Sequence, residues 1–505
     1  MQKIKIEQAF AEDWVRMFAH LANLFFEQCD IIKEPHEDAM EVSFSIERLP
    51  NDQIMGAAIL QANGNKYEAT FSEQAIIGDE KVVKRQLKRV HSHVFLEVLE
   101  QATGMKQSWG ILTGIRPMKL YHKYRQEGQN EEQAIENLMT NYRISREKSE
   151  LLATIADVQL KAVPDLYRLK NEVSIYIGIP FCPTKCAYCT FPAFAIRRAK
   201  GRVDSFLDAL HEEIREMGAW LKERDMKITT VYFGGGTPTS IEADEMDALY
   251  ETMFEAFPHM ETVREITVEA GRPDTITPAK IDVLKKWGID RISVNPQSYT
   301  DETLKAIGRH HTVQETIDKF WLSRNMGMKN INMDLIIGLP NEGLEEFEHS
   351  LAETEKMQPE SLTVHTLSFK RASEMSQNRN RYQVADRYTV EKMMKRGEEW
   401  TKDNGYVPYY LYRQKNILGN LENVGYSKPS EESIYNIIIM EEVQTIIGIG
   451  CGASSKFIDP TTGKITQFYN PKDPAAYVMA YEESIDKKLQ HLNAIFPANE
   501  SAVNE

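Results

Sequence analysis

From about residue 174 the chain alternates short β-branched runs with longer polar stretches whose apolar residues recur at helical spacing. Six runs read this way: SIYIGI from 174, TTVYFG from 229, EITVEA from 265, RISVNP from 291, INMDLIIG from 331 and SLTVHTL from 361. The intervening segments are amphipathic; in RVDSFLDALHEEIREMGAWLKER, for example, Val203, Leu207 and Leu210 share one face. Strands alternating with helices make parallel βαβ units with right-handed crossovers. Six units fall short of a closed eight-strand barrel, so the fold class predicted is α/β, a partial (β/α)6 barrel. An open doubly wound sheet has the same periodicity. Either architecture gathers its chemistry at the carboxyl ends of the strands.

The flanks have a different texture. Before residue 170, EVSFSIERL and QIMGAAILQANGNKYEATFSE read as strands, with Asn63-Gly64 as a hairpin turn. Helical stretches follow around VKRQLKRVHSHVFLEVLEQ and NEEQAIENLMTNYRISREKSELLATIADVQL. Between them lies WGILTGIRPMKL, with Trp109, Arg116 and Pro117, which is either a docking loop or a glycine-relieved turn. The expected organisation is an α+β accessory domain over 1–170, a core over 171–395, and a mostly helical domain over 396–505 that covers the barrel mouth. That last part holds GYVPYYLYRQKN and IIGIGCGASSKF.

Composition narrows the class. With 505 residues, 42% hydrophobic and 27% charged, the chain has material for a sizeable core and is neither collagenous nor wholly disordered. A net charge of −15 argues against a general nucleic-acid surface. Apolar runs such as IIIM ending at 440 fall well short of the roughly 20 residues a membrane span needs. The start, MQKIKIEQAF, has no apolar signal core, so a cytoplasmic location is expected.

Of five cysteines, Cys29 and Cys451 stand alone, whereas Cys182, Cys186 and Cys189 crowd into eight residues at the end of the first core strand. That density reads as metal or redox chemistry. A structural zinc site wants four closing ligands and no fourth cysteine or histidine is near; His211 is over twenty residues on. Soft thiolates suit an iron-sulfur cluster, and a four-iron cubane held by three cysteines leaves one iron open to a ligand. Zinc with a distant ligand and incidental buried cysteines are the alternatives.

Other candidates sit at the following strand ends. Gly234-Gly235-Gly236-Thr237-Pro238-Thr239 lets backbone approach a polar ligand closely. Glu269 can accept hydrogen bonds from hydroxyls or an amino group. Asp334, amid apolar residues, needs a donor or cation, and Arg309 has the planar fork that matches a carboxylate. His310 and His311 are read as surface residues. Arg197, Arg198, Lys200 and Arg202 make a basic patch that fits propionates or solvent equally well. Arg413 and Lys415 are placed to reach inward from the tyrosine-rich stretch, whose tyrosines read as core or interface residues.

CxxxCxxC after the first strand resembles the radical S-adenosylmethionine superfamily. YxxIPFC, from Tyr176 to Cys182, together with FGGGTPT is similar to its oxygen-independent coproporphyrinogen III oxidase group, and most of all to the HemZ-type branch, over about residues 171 to 460. The resemblance implies a 4Fe-4S cluster on Cys182, Cys186 and Cys189. It further implies one or two molecules of S-adenosylmethionine contacted by Tyr176, Tyr188, Gly235, Gly236, Thr237, Glu269, Gln297, Arg309 and Asp334. Tyr176 and the three cysteines are then the catalytic set. The implied reaction is radical decarboxylation of coproporphyrinogen III to protoporphyrinogen IX, with a tetrapyrrole substrate, an electron donor and a terminal acceptor as partners. A haem carrier that keeps the cluster and a radical methyltransferase acting on a tetrapyrrole are the other functions the resemblance allows. Three departures stand out: Gly178 where the oxidases usually carry histidine, Phe191 where they carry a further cysteine, and EAGRP, at Gly271 and Arg272, one residue longer than usual.

Overall fold

The computed structural model describes residues 2–26, 29–114, 116–196, 202–370, 372–414 and 417–497. Two compact units divide after Ala156. The first runs β1 (Gln2–Ile6), α1 (Glu12–Ala22), β2 (Cys29–Ile32), β3 (Met40–Arg48), β4 (Gln53–Ala62), β5 (Asn65–Gln74), α2 (Glu80–Thr103), α3 (Met118–Gln126) and α4 (Glu131–Tyr142). Helix α5 (Arg146–Ala162) continues across the division. The five strands form one sheet in the order β2-β1-β3-β4-β5. Its apolar face packs on α1 and α2 through Ile4, Phe18, Val42, Leu60, Phe95 and Leu99. The predicted hairpin is present: Ala62 pairs with Asn65, and Asn63 and Gly64 both take the left-handed conformation that a two-residue turn requires. Trp109 is fully buried, and Gly110 lies so close to the Tyr142 and Arg143 carbonyls that a side chain there would collide with them. WGILTG therefore behaves as a packed turn.

The second unit begins with β6 (Val173–Ile179), β7 (Phe181–Cys182) and β8 (Phe194–Ala195), and continues through α6 (Arg202–Glu223), β9 (Ile228–Gly235), α7 (Ala243–Ala256), β10 (Glu265–Glu269), α8 (Pro278–Lys286) and β11 (Arg291–Ser293). Then come α9 (Asp301–Ala306), α10 (Val313–Asn325), β12 (Asn330–Ile337), α11 (Leu344–Met357), β13 (Ser361–Thr366), α12 (Glu374–Gln377) and α13 (Arg387–Asp403). The chain closes with β14 (Val407–Tyr412), β15 (Asn423–Ser427), α14 (Ile434–Glu441), β16 (Thr445–Gly450), β17 (Ser454–Ile458), β18 (Ile465–Tyr469) and α15 (Pro474–Ile495).

All six expected core strands form, parallel and side by side in chain order: β6, β9, β10, β11, β12, β13. A doubly wound sheet would reverse direction at a switch point; this order does not, which decides for the partial barrel. Along β12, polar Asn330, Asn332 and Asp334 alternate with buried Ile331, Met333 and Leu335, the period-two pattern of a strand with one apolar and one polar face. The barrel does not close on itself. β15 pairs antiparallel with β13 at one edge, and β16 pairs parallel with β6 at the other. Residues 396–505 thus supply strands to both edges of the core sheet as well as α14 and α15.

A buried ionic network secures the β16 side. Glu213 of α6, with no exposed surface, accepts hydrogen bonds from the Gly450 amide (2.7 Å), the Asn470 amide (2.9 Å) and the Tyr477 hydroxyl, and pairs with Lys488 of α15. Four donors around one carboxylate compensate its loss of water.

Candidate active site

The residue layer that faces the barrel interior is the least buried part of otherwise buried strands. Tyr176 is the one half-buried residue of β6, Glu269 of β10 and His365 of β13; Tyr232 of β9 and Asp334 of β12 are half-buried among buried neighbours. Strand periodicity and register bring them onto one lumen: Tyr176 pairs with Tyr232, and Asp334 with Thr363, two residues before His365. The lumen is thus polar and accessible where the remaining core is apolar and closed.

The cysteine loop leaves β6 through Pro180. Cys182 is buried, while Cys186 and Cys189 are half-buried, and all three are free thiols. The loop is pinned from several sides. Gly236 and Thr237 donate their backbone N–H groups to the carbonyls of Ile179 and Phe181, both at 2.7 Å, and Ala187 donates to Ile307 (2.9 Å). Buried Arg272 donates to the Thr184 carbonyl (3.1 Å) and hydroxyl (3.0 Å) while pairing with Asp274 (2.9 Å). Arg272 of EAGRP thus ties the loop after β10 to the cysteine loop. The triple glycine is first of all a packing device: Gly235 has φ +105°, and a side chain at Gly236 would lie 2.5 Å from the Phe181 carbonyl oxygen.

Burial pushes the Cys182 thiol up to about 11 and raises that of Cys189. Thiols so placed ionise when a metal takes their proton's place. Among the described residues no group of three or more His, Cys, Asp or Glu side chains is disposed to hold a single metal ion. The donor set, three soft thiols on one anchored loop, fits the three-cysteine cluster and not a closed zinc tetrahedron.

Tyr176, Tyr232 and Tyr435 stack nearly parallel, with Tyr232 4.3 Å from Tyr435 and 6.1 Å from Tyr176. Tyr232 donates to Glu269 at 2.5 Å. Burial pushes the Glu269 carboxyl up to about 7, against the opposing hydrogen bond from Tyr232 and helped by nearby Asp334. Asp334 accepts from the amides of Asn295 (2.8 Å) and Asn332 (2.9 Å). Gln297 is held at φ +68°, unusual for a residue with a side chain, by backbone bonds to Asp334 (2.9 Å) and from Ile336 (3.0 Å) on β12. Arg309 donates to the carbonyls of Asn295 (2.5 Å) and Gly271 (3.3 Å). Burial works against its charge, but Tyr188 and Cys186 beside it outweigh that and raise its pKa. Three buried polar atoms here have no partner: Ser293 Oγ, Asn295 Oδ1 and Arg309 Nε. They are the orphaned donors and acceptors that a bound polar nucleoside would satisfy.

Of the twelve residues the resemblance implies, Cys182, Cys186, Tyr188 and Cys189 lie in the cysteine loop, Gly235, Gly236, Thr237 and Glu269 at the ends of β9 and β10, Gln297 shortly after β11 and Arg309 after α9, while Tyr176 and Asp334 stand mid-strand in β6 and β12. Tyr232, Asn295, His365 and Tyr412 were missed. Tyr232 lay in a quoted strand, two positions before the glycine turn and hence on the lumen face; the others have no motif. His311 is a correction: it is buried, not a surface residue, because its turn folds against Arg272, and burial with Arg309 and Arg272 pushes it down to about 3. Arg413 is also buried and directs its donors to Asn420 and Leu421. Arg197, Arg198, Lys200 and Lys415 lie outside the described residues, and Arg202 is exposed. Phe191 is 57% exposed, with the Lys370 ammonium 5.5 Å from its ring centre. At Gly178 a side chain would lie 2.9 Å from the Cys451 carbonyl oxygen, so the turn after β16 occupies the space of the usual histidine.

The sequence model of the radical SAM superfamily matches residues 176–353, from the lumen tyrosine of β6 into α11. The chain is a radical SAM protein, and the cofactors of its class are a 4Fe-4S cluster and S-adenosylmethionine. Its fold resembles coproporphyrinogen III oxidase (HemN) from Escherichia coli, with a TM-score of 0.51 and 20% identity over 65% of this chain and 72% of that one. Over 499 residues, 98% of each chain, it is 59% identical to the oxygen-independent coproporphyrinogen-III oxidase-like protein HemZ of Bacillus subtilis (strain 168). It belongs to that family of coproporphyrinogen oxidase-like proteins. The heme chaperone HemW of the same organism is 34% identical over 38% of this chain and 50% of its own length.

Proposed function

We propose that this protein carries out oxygen-independent oxidative decarboxylation of coproporphyrinogen III to protoporphyrinogen IX in the cytoplasm. The observation that supports this reading best is a polar lumen lined by Tyr176, Tyr232, Glu269 and Asp334 at the end of which the three-cysteine loop leaves β6, with Arg309 beside Cys186 and Tyr188 of that loop. When bound, the cluster and S-adenosylmethionine supply a 5′-deoxyadenosyl radical, the oxidant strong enough to take a hydrogen atom from an unactivated propionate carbon. Cys182, Cys186 and Cys189 would hold three irons and leave the fourth open. Glu269 and Asp334 would accept from the nucleoside's hydroxyls and cationic groups, Gly235, Gly236 and Thr237 would contact it from a turn whose backbone ties Gly236 and Thr237 to Ile179 and Phe181, and Arg309 braces the loop beside Tyr188 and Cys186. Each propionate gives up a hydrogen atom, CO2 and one electron, so an electron acceptor must be present. Residues 396–505 support a covering role, since β14 brings Tyr412 to the lumen rim. Closure there keeps water and other quenchers from the radical.

A second reading, a haem carrier that retains the cluster, is favoured by two observations at the substrate side: the crowding at Gly178 and the exposed Phe191 in place of a cysteine. One experiment separates them. Protein reconstituted with iron and sulfide without oxygen is given S-adenosylmethionine, a reductant and coproporphyrinogen III. Decarboxylation predicts 5′-deoxyadenosine, CO2 and a divinyl product in step; stable haem binding with no product favours the carrier. Cys186→Ala should lose cluster iron and all S-adenosylmethionine cleavage, and a fully active, iron-free variant refutes both readings.

A further inference from the structure

Arg272, in the loop between β10 and α8, is buried and divides its donors between two sides. Nε and Nη2 both go to the Asp274 carboxylate, at 3.0 and 2.9 Å. Nη1 goes to the carbonyl (3.1 Å) and the hydroxyl (3.0 Å) of Thr184, midway between Cys182 and Cys186. The Thr184 hydroxyl donates in turn to the Gly308 carbonyl (2.8 Å), so three loops meet at this one side chain. A guanidinium used in this way is both a clamp and a fixed charge, because it keeps its proton throughout the range in which proteins are folded. The ion pair is also oriented: its positive end is bonded to the cysteine loop, and its negative end, Asp274, is the more exposed, 22% against 3%.

The charge is felt at the nearest sulfur. Burial raises the Cys182 thiol to about 11, whereas the Thr237 hydroxyl and the Arg272 guanidinium act in the opposite direction. His311, with Nδ1 4.0 Å from Asp274, is pushed down to about 3 by burial and by Arg309 and Arg272, and so adds no charge of its own. An iron-sulfur cluster held by thiolates is net anionic and becomes more so when it takes up an electron, so its potential follows the charges placed around it. We propose that Arg272 and Asp274 are an oriented ion pair that tunes the reduction potential of the cluster, the guanidinium raising it from beside the cysteine loop and the carboxylate moderating that rise. The same guanidinium positions the loop through Thr184, which makes Arg272 a positioning residue. This requires the cysteine loop to hold the cluster and does not depend on what becomes of a tetrapyrrole.

The full chain, reconstituted with iron and sulfide without oxygen, is titrated with Ti(III) citrate in the absence of S-adenosylmethionine, and the paramagnetic signal of the reduced cluster gives the midpoint potential. R272Q leaves the carboxylate alone beside the loop and shifts the midpoint negative. D274N leaves the guanidinium alone and shifts it positive. R272K keeps a charge but cannot bridge Thr184 and Asp274 with a fork. Its midpoint stays closer to wild type than that of R272Q, while its cluster iron passes to a chelator roughly 10-fold faster than in wild type. Packing alone would loosen the loop in every variant and move R272Q and D274N in the same direction. Where R272Q retains too little iron to titrate, the positive shift of D274N and the small one of R272K decide the matter. Midpoints that move together, or not at all, overturn the tuning role and leave the cluster assignment standing. Wild type that takes up no cluster overturns the assignment, and the tuning role with it.

Discussion

The family's usual histidine cannot be restored at position 178 without damage. An ideal Cβ on Gly178 falls 2.9 Å from the Cys451 carbonyl oxygen and 3.6 Å from Cβ of Ala453, two residues on. The oxygen belongs to backbone in a turn that Gly450, with φ +89° and paired to Gly178, and Gly452, with φ +69°, hold in place. Backbone so fixed does not step aside as a flexible side chain would. Gly178→Ala should therefore cost about 1–3 kcal/mol, the usual range for inserting atoms into a packed interior. Gly178→His, which adds a whole ring, should cost more, opening the β6–β16 pairing and releasing cluster iron. Urea unfolding of both variants under argon, with iron content measured alongside, provides the check. A Gly178→His protein as stable as wild type, with full iron, would show that β16 does not occupy the space and that this departure has another cause.

Other outcomes follow from buried titrating groups. Glu269, raised in the fold to about 7 from an unfolded value near 4.5, binds more protons folded than unfolded between those limits, so stability falls as pH rises through that window. Glu269→Gln should then make the ligand-free protein more stable than wild type at pH 8 by about 3 kcal/mol, a gain that fades below pH ~5; equal melting at both pH values would refute it. His93, stacked 3.8 Å from Phe71 and pushed down to about 4 by burial, takes up its proton only on unfolding between about pH 6.5 and 4. The first unit should lose about 3 kcal/mol as pH falls through that range, and His93→Phe should flatten the slope in hydrogen exchange of α2. Lys488→Met strands the buried Glu213 charge and should cost about 3–5 kcal/mol, much of it recovered in a Glu213→Gln, Lys488→Met double variant.

What was legible in the sequence was what local chemistry dictates. The six core strands announce themselves by β-branched runs, the Asn63-Gly64 turn by its two left-handed residues, and the cysteine loop by density alone. The contributions of distant segments were not legible. Nothing near residue 450 says that β16 will lie beside β6, or that Tyr435 will stack under Tyr232. His311 looked like a surface residue because its burial comes from Arg272, on a different loop. His365 and Tyr412 stand on β13 and β14, with β15 between them in the sheet, and no local pattern says that the tyrosine hydroxyl will meet the imidazole.

The sheet's two outer seams have a consequence for how the protein comes into being. During synthesis β6 emerges early, carrying the cysteine loop, but its open flank waits for β16 near the far end of the chain, and β13 waits for β15. A ribosome-bound intermediate thus exposes two unpaired strand borders around the metal-loop segment, an invitation to sticky association. A fragment cut to 171–395 would lack both β15 and β16 and keep both borders bare for good.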